Sequence, residues 1–354
     1  MHITIGILAY NEASSIGSTL HSLFLQSIFE NGQNETSDHE YEILVVPNGC
    51  SDSTAAVASQ VLTELCSRQS KENIRFRVEA IERPGKSNAW NELVHRFAAD
   101  HTDVFVMIDA DIEFGDTRTI ESSINRLKSD SHARVVVDLP LKHFTKKSRL
   151  TLVEKISARV SRMNLDAAVG VAGSFYCTHG DFMRQIWMPA GLSVEDGFLS
   201  AMAITDCFRS QPDVTRVVRA ANASHYFEGL TNIDQIVQHE VRLVIGTVLN
   251  CFLCWDTLLF LTAPHGPGAG PMIRELNKES PHWYAAMMKN QISGRGVWVV
   301  PLGILLRRFA GLKGQSPVRF MVSLPVRVIA FFFDIIVYLL ANSKLRSGRG
   351  VGFW

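Results

Sequence analysis

The sequence lacks an excess of charge of either sign. Its 354 residues include 35 lysines and arginines and 35 aspartates and glutamates, so the formal net charge is zero. Without a global basic field we expect no nucleic acid as partner, and any site for a polyanion must be local. An intrinsically disordered chain is excluded too, because 46% of the residues are hydrophobic, which is ample for a buried core.

Cysteine is scarce and scattered. The chain opens on a strand-like run rather than on a secretory leader, so we expect a reducing, cytosolic compartment and no disulfide framework. Cys251 and Cys254 form a C-x-x-C, but a zinc site would need a second pair of ligands, so we interpret them as buried thiols on one helix. The six cysteines are Cys50, Cys66, Cys177, Cys207, Cys251 and Cys254.

An uninterrupted transmembrane run is also missing. The two most apolar stretches, residues 243–263 and 318–341, are broken by Asp256 and by Arg319, Pro325, Arg327 and Asp334. A spanning helix needs about 20 predominantly apolar residues, and a central charge is penalised. Basic residues flank these stretches, which favours a helix lying on the cytoplasmic face of an anionic membrane; a buried core helix or a partner interface is the alternative.

What the sequence does contain is a repeated alternation of strands and helices in its first 140 residues. Short apolar runs at residues 3–8, 43–46, 74–81 and 104–108 are predicted strands, and amphipathic patterns between them predict helices. Strands that are apolar on both faces and alternate with helices form a parallel sheet covered on both sides. We therefore predict a doubly wound α/β fold.

Polar or small residues follow each of the four predicted strands. In an open parallel sheet, ligands bind beyond the carboxyl ends of the strands, so we expect these clusters to converge on one site, for a nucleotide. Taken singly, each cluster could equally be an ordinary turn or a helix N-cap. The clusters are Tyr10-Asn11-Glu12, Asn48 to Asp52, Arg83 to Lys86, and Asp109-Ala110-Asp111.

Asp109 and Asp111 end the last of these strands two positions apart, a spacing that returns both side chains to the same side. Hard carboxylate oxygens suit Mg²⁺ or Mn²⁺, which would bridge a diphosphate and polarise its departing oxygen. Two helix-capping aspartates are the alternative.

Gly85-Lys86-Ser87 is not a P-loop, since Ala80 stands where that pattern needs a glycine, but Lys86 could still place its charge beside a phosphate.

The pattern changes after residue 140. A basic stretch and a predicted helix at residues 148–164 precede a glycine-bearing segment, residues 169–175. Glu195 and Asp196 then begin another predicted helix, where paired carboxylates meet apolar flanks. They either carry chemistry or simply begin the helix, where its dipole favours acidic residues.

These residues, in their order and spacing, resemble the inverting family 2 glycosyltransferases, which have the GT-A fold and use nucleotide-diphosphate sugars. The resemblance covers roughly residues 3–245. Ala9-Tyr10-Asn11-Glu12 is similar to the strand-1 signature that contacts the base, and residues 47–54 are similar to an Asp-Asp-Gly-Ser-Thr-Asp-x-Thr segment, with Pro47 and Asn48 in place of the paired aspartates. Residues 83–91 resemble the stretch near the diphosphate, and Asp109-Ala110-Asp111 the metal-binding D-x-D.

The resemblance implies roles for individual residues. Asp196 is implied as the general base that takes the proton of the acceptor hydroxyl, with Glu195 orienting the base or the acceptor. Leu243 replaces the tryptophan of the Gln-x-x-Arg-Trp motif of processive members, which disfavours polymer synthesis. The implied donor-binding residues are Ala9, Tyr10, Asn11, Glu12, Asn48, Asp52, Lys86, Asp109, Ala110 and Arg242; the acceptor-binding residues are Gly173 and Ser174; and the metal ligands, for Mn²⁺ or Mg²⁺, are Asp111, Asp109 and His225.

The expected organisation is therefore a GT-A-like, doubly wound, mostly parallel sheet with a helical, apolar C-terminal extension. We expect a nucleotide-sugar half at residues 1–138, an acceptor-binding and catalytic half at 139–230, and a membrane-associated helical region at 231–354. The expected activity moves a sugar to the hydroxyl of a glycan or lipid carrier. A sugar nucleotidyltransferase would need a glycine-rich loop after the first strand, which Tyr10-Asn11-Glu12-Ala13 does not supply. An inactive scaffold of the same fold is the other alternative, although Asp109, Asp111 and Asp196 are intact.

Overall fold

The computed structural model describes residues 1–30, 39–69, 73–146, 169–230, 232–262, 266–306, 309 and 317–348. Eight strands form one mixed sheet with the order β3-β2-β1-β4-β7-β6-β8-β5. The strands are β1 (His2–Ala9), β2 (Glu40–Pro47), β3 (Ile74–Val78), β4 (Val104–Asp109), β5 (Glu113–Phe114), β6 (Val135–Lys142), β7 (Phe175–His179) and β8 (Val217–Phe227).

Helices cover both faces of this sheet and make up most of the chain after residue 230. They are α1 (Ile16–Phe24), α2 (Thr54–Ser67), α3 (Lys86–Glu92), α4 (Thr119–Ser129), α5 (Gly180–Met183), α6 (Glu195–Ile204), α7 (Ile233–Asn250), α8 (Ala269–Glu279), α9 (Trp283–Ser293), α10 (Leu302–Leu305) and α11 (Pro317–Arg346). Helix α7 continues through a π-helical stretch, Cys251–Leu258, and a last turn, Leu259–Leu261. Shorter helical segments are Ser27–Phe29, Leu93–Phe97, His143–Lys146 and Val214–Arg216.

The first half of the sheet has the predicted doubly wound arrangement. Strand β1 pairs in parallel with both β2 and β4, and β2 pairs in parallel with β3. Every residue of β1 from Ile3 onward is buried, as expected of a strand covered by helices on both faces. Strand β3 ends at Val78 rather than near residue 81, and Ile81 forms only an isolated bridge to Asn48.

The second half of the sheet is mixed. Strand β7 runs antiparallel to β4 and β6, whereas β6 and β8 are parallel to each other. Because β7 lies next to β4, its amino end meets the carboxyl end of β4, and the main-chain amide of Asp109 donates to the carbonyl oxygen of Ser174 at 2.9 Å. The segment that precedes β7 thereby reaches the same edge of the sheet as the D-x-D. The predicted helix at 148–164 lies outside the described residues.

Two hydrophobic cores lie on the two faces of the sheet. One is built from the α1, α2 and α4 side, with Ile5, Ile43 and Val106 at its centre. The other contains Trp90, Phe105 and Phe198 and continues without a break into the C-terminal helices, where Phe252 and Tyr284 are fully buried. The helical region after residue 231 therefore shares a core with the sheet, and the division of the chain at residues 138 and 230 remains a prediction.

Candidate active site

A cleft of about 300 Å³ opens at the carboxyl ends of β1, β2 and β4. It lies where an open parallel sheet binds ligands, and three of the four polar clusters found in the sequence, together with Asn48 of the remaining one, meet there. Its lining residues are Leu8, Ala9, Tyr10, Glu12, Asn48, Pro84, Gly85, Lys86, Asp109, Ala110, Asp111, Leu192, Ser193 and Arg242. The predicted convergence of strand-end residues is thus present in the structure.

Asn48 braces the floor of the cleft. Its side-chain amide donates to the Ala9 carbonyl oxygen at 2.7 Å, and its side-chain oxygen accepts from the Gly85 main-chain amide at 2.9 Å. The side chain is buried, so both of its polar ends are used inside the protein. Asn48 consequently fixes the end of β1 against the turn that begins α3. Because Lys86 follows Gly85 in the chain, Asn48 also helps to position Lys86.

Lys86 links the two halves of the site. Its Nζ lies 2.7 Å from Asp109 Oδ1 and 2.7 Å from Glu195 Oε1. Burial alone would lower the pKa of Lys86, but the carboxylates of Asp109 and Glu195 raise it well above its ordinary value, so the ammonium stays charged. One cation therefore joins the D-x-D strand to the first residue of α6.

Glu195 and Asp196 stand side by side in the first turn of α6, yet their protonation differs. Although burial opposes it, the Lys86 ammonium holds the pKa of Glu195 below its ordinary value. Burial and the neighbouring Glu195 charge raise the pKa of Asp196 to about 7. Asp196 Oδ1 is shielded from solvent and has no hydrogen-bond partner among the described residues. Two adjacent carboxylates with separated pKa values are typical of a site that handles protons.

Gly173 packs directly against this carboxylate pair. A Cβ at this position would lie 2.2 Å from Asp196 Oδ1 and 2.9 Å from Glu195 Oε1, which is too close for either contact. Only a glycine lets the segment before β7 approach the two acids this closely. The segment that contains Gly173 thus lies against Asp196, and its predicted place on the acceptor side remains a prediction.

His225, on β8, is held by a buried carboxylate. Its Nδ1 lies 2.8 Å and 2.9 Å from the two oxygens of Asp138, and both side chains are buried. The other ring nitrogen, Nε2, is buried and has no partner among the described residues. A histidine oriented by a carboxylate, with its second nitrogen free, is the usual arrangement of a metal ligand and its outer partner.

Asp111, the second aspartate of the D-x-D, lines the cleft. Partial desolvation in the cleft and the Glu12 carboxylate raise the pKa of Asp111, and the Lys86 ammonium and, to a smaller extent, the His225 side chain oppose that rise. Within the described part of the chain, Asp109, Asp111 and His225 do not form a group with ligand atoms within 4.8 Å of one another. Asp109 is engaged by Lys86, so a cation here would be held by Asp111 and His225, and would need ligands from a bound molecule as well.

Some predicted residues lie beside the cleft rather than in it. Asn11 has a left-handed backbone (φ 56°), and its side-chain oxygen accepts from the Ser51 amide at 2.8 Å. Asp52 accepts from the Ala13 amide at 3.1 Å and from the Thr54 amide at 3.0 Å. These two side chains brace the loops after β1 and β2, and their predicted contact with a donor remains a prediction.

Other residues at the site had no role assigned from the sequence. Leu192 and Ser193 line the cleft from the loop before α6, and Pro84, within one of the strand-end clusters, lines it from the turn before α3. The sequence does contain a signal for a functional role of Asp138, since it is a lone acid that interrupts the apolar run of β6 (Val135–Lys142). Arg242, from α7, also lines the cleft, so the C-terminal helical region contributes a residue to it; that Arg242 contacts a donor remains a prediction.

No curated protein sequence matches this chain. Among solved structures, a mannosyltransferase from Pyrobaculum calidifontis in complex with GDP-Man and Mn²⁺ superimposes with a TM-score of 0.53 at 16% identity, over 98% of this chain and 86% of that one. Glucosyl-3-phosphoglycerate synthase from Mycobacterium tuberculosis, in complex with Mn²⁺, UDP and phosphoglyceric acid, gives a TM-score of 0.45 at 18% identity, over 71% of this chain and 78% of that one.

The likeness to the first of these structures shows the fold, a GT-A-like mixed sheet, which confirms the predicted fold class. The family comparison goes further. The model of the family described as "Glycosyl transferase family 2" matches residues 4–188, which is more than half of the chain and includes the strand-end clusters and Gly173. The predicted family is thereby confirmed, and the chain belongs to glycosyl transferase family 2.

Proposed function

We propose that this protein is a metal-dependent, inverting glycosyltransferase that moves a sugar from a nucleotide-diphosphate sugar to an acceptor hydroxyl. The observation that carries the proposal is the bridge from Asp109 through Lys86 to Glu195, with Asp196 beside it. Single displacement needs a base for the incoming hydroxyl and positive charge for the departing diphosphate. Here the ammonium of Lys86 supplies positive charge, and Asp196, next to the bridged Glu195, supplies the base.

The base in this proposal is Asp196. A pKa of about 7 lets its carboxylate be ionised at neutral pH and still accept a proton readily. Its Oδ1 is buried beside Gly173 and makes no hydrogen bond to the described residues, and we assign this oxygen to the acceptor hydroxyl. Glu195, kept ionised by Lys86, cannot play this part equally well, and we assign it to holding the ammonium in place.

The donor would lie in the cleft with its diphosphate toward Lys86 and its base toward Tyr10 and the end of β1. Asp111 and His225 are the residues that would hold Mn²⁺ or Mg²⁺, and His225 fits because its buried Nε2 is otherwise unsatisfied. A bound cation supplies a Lewis acid for the leaving diphosphate. The fold likeness to an enzyme crystallised with GDP-Man and Mn²⁺ supports this donor class.

A membrane surface is the proposed setting of the reaction. On α11, exposed apolar residues recur every three or four positions and form one outward stripe, whereas Val337, Tyr338 and Ala341 face the core. The stripe consists of Val328, Phe332, Ile336, Leu339 and Leu340. Among the described residues, the segment Ile233–Leu261 is long and apolar enough to cross a membrane, but 56% of its most apolar window is buried in the protein. A helix lying on the membrane fits these facts better than one crossing it.

The activity is tested by nucleoside diphosphate release. Purified full-length protein is incubated with UDP-, GDP- and dTDP-sugars and Mn²⁺, alone and with candidate glycan or lipid acceptors. Release with one donor, abolished by Asp196→Asn while that nucleotide still binds, supports the proposal. Asp234→Asn is the matched control. Asp234 is also an acid in the first turn of a helix, but it is exposed and belongs to α7 rather than to α6. Donor binding without release under any condition would favour the inactive scaffold.

The membrane setting is tested by flotation with anionic liposomes. We expect wild-type protein to float, and Phe332→Glu with Ile336→Glu to stay at the bottom of the gradient. Leu25→Glu is the control, because Leu25 is 68% exposed but lies at the end of α1, away from the stripe. Equal flotation of all three proteins would refute this part of the proposal.

A further inference from the structure

Three metal-binding side chains come together at the amino edge of the sheet, away from the cleft. His2 begins β1, Glu40 begins β2, and His101 lies in the turn before β4. One potential ligand atom of each lies within 4.8 Å of the corresponding atoms of the other two. The rings of His2 and His101 have centroids 4.4 Å apart at an angle of 65°.

The backbone holds these three positions in a fixed relation. His2 and Glu40 are direct partners in the parallel β1–β2 pairing. The His2 amide donates to Asp103 Oδ2 at 2.8 Å, and the Asp103 amide donates to the His2 carbonyl at 2.9 Å, which ties the turn carrying His101 to the start of β1. Ligands placed on paired strands are held more rigidly than ligands on free loops.

The surroundings leave room for an ion. A separate cavity of about 380 Å³ is lined by all three side chains. Nδ1 of His2 is shielded from solvent and has no hydrogen-bond partner among the described residues, whereas Glu40 and His101 are exposed and can turn toward it. Arg75 also lines this cavity, as do the acids Glu40 and Glu42.

We propose that His2, Glu40 and His101 form a second metal site, for Zn²⁺ or a similar late first-row divalent cation. Two imidazoles and one carboxylate are a usual zinc set, with water in the fourth position, and they differ from the oxygen-rich sets that Mg²⁺ prefers. Zinc bonds of about 2.1 Å in a tetrahedron separate ligand atoms by about 3.4 Å, so a small movement of the two exposed side chains completes the set. The ion would clamp the starts of β1, β2 and β4.

The test measures zinc by competition with a chromophoric chelator, and Co²⁺ by its visible absorption. Full-length protein carrying Asp111→Asn is used throughout, so that the proposed donor site lacks a carboxylate. We expect about one Zn²⁺ per chain, and a loss of affinity of at least about tenfold in His101→Gln and in Glu40→Gln, as expected when a metal site loses a supporting group. His21→Gln, an exposed histidine on α1, is the control and should bind as its parent does.

Two results would overturn the proposal. One is the absence of stoichiometric zinc in the parent protein, and the other is unchanged zinc binding in both His101→Gln and Glu40→Gln. Each variant is first compared with its parent by circular dichroism and melting temperature without metal, so a folding defect is recognised. A rise in melting temperature with Zn²⁺ that is present in the parent and the His21 variant but absent from the His101 variant would support the clamp.

Discussion

The raised pKa of Asp196 makes a prediction about stability that can be tested without knowing the acceptor. In the folded protein, burial and the Glu195 charge raise the pKa of Asp196 from its ordinary value of 3.8 to about 7. Below about pH 3 the group is protonated in both the folded and the unfolded chain and does not affect stability. As the pH rises toward 7, the unfolded chain releases this proton and the folded protein keeps it, so stability is progressively lost.

The size of this loss follows from the difference between the two pKa values. A difference of about three pKa units, at about 1.4 kcal/mol each, corresponds to about 4 kcal/mol at pH 8. Because Glu195 shares part of this interaction, we expect Asp196→Asn to recover about 2–4 kcal/mol of the free energy of unfolding at pH 8. The gain should shrink as the pH falls toward 4 and vanish below about pH 3, where the aspartate is neutral in both states.

The assay is thermal denaturation of wild-type protein and Asp196→Asn between pH 4.5 and 8.5. In a chain of this size the variant should melt about 5 °C higher at pH 8, with the difference closing toward acid pH. Asp234→Asn, at the exposed start of α7, controls for the general effect of removing one negative charge and should show no such pH dependence. A difference that is constant across the pH range, or a variant less stable than wild type at pH 8, would refute the reasoning.

Three further predictions concern the rest of the site. Gly173→Ala should push the carboxylate of Asp196 by about 1 Å and lower kcat about 100-fold in steady-state kinetics with donor affinity retained; unchanged kcat would contradict it. Asn48→Asp, although it restores an aspartate found in the family pattern, should cost about 1–3 kcal/mol of unfolding free energy in urea, because it removes the donor to the carbonyl at the end of β1; a more stable variant would contradict it. Asp138→Asn should weaken Mn²⁺ binding in the nucleotide complex about 10-fold or more by calorimetry, since this carboxylate orients His225; unaltered Mn²⁺ affinity would contradict it.

The strand-end clusters show what local sequence can predict. Apolar runs followed by polar residues were enough to place β1, β2 and β4 and to bring Tyr10, Lys86 and Asp109 to one cleft, because parallel strands expose their carboxyl ends at one edge. The family pattern added Glu195 and Asp196, which no short-range rule connects to the D-x-D.

The parts that sequence did not predict depend on long-range pairing. Strands β6, β7 and β8 meet through contacts between distant segments, so the link from Asp138 to His225 is invisible to periodicity. The two hydrogen bonds of the Asn48 side chain, to the Ala9 carbonyl and from the Gly85 amide, also depend on how β1, β2 and the turn before α3 pack together. In the sequence alone, Asn48 is only a residue in a turn that resembles a nucleotide-binding segment.

The proposed function requires that the cleft bind a nucleotide together with a divalent metal ion. It is tested most directly by the melting temperature of the full-length protein with UDP, GDP and dTDP, each with and without Mn²⁺, repeated on Asp111→Asn. Ligands that bind only the folded state raise the melting temperature by an amount that grows with the ratio of their concentration to their dissociation constant. We predict a rise with one nucleotide that requires Mn²⁺ and is lost in Asp111→Asn. The absence of a rise with every nucleotide, or an equal rise in wild type and Asp111→Asn, would contradict the assignment of this cleft.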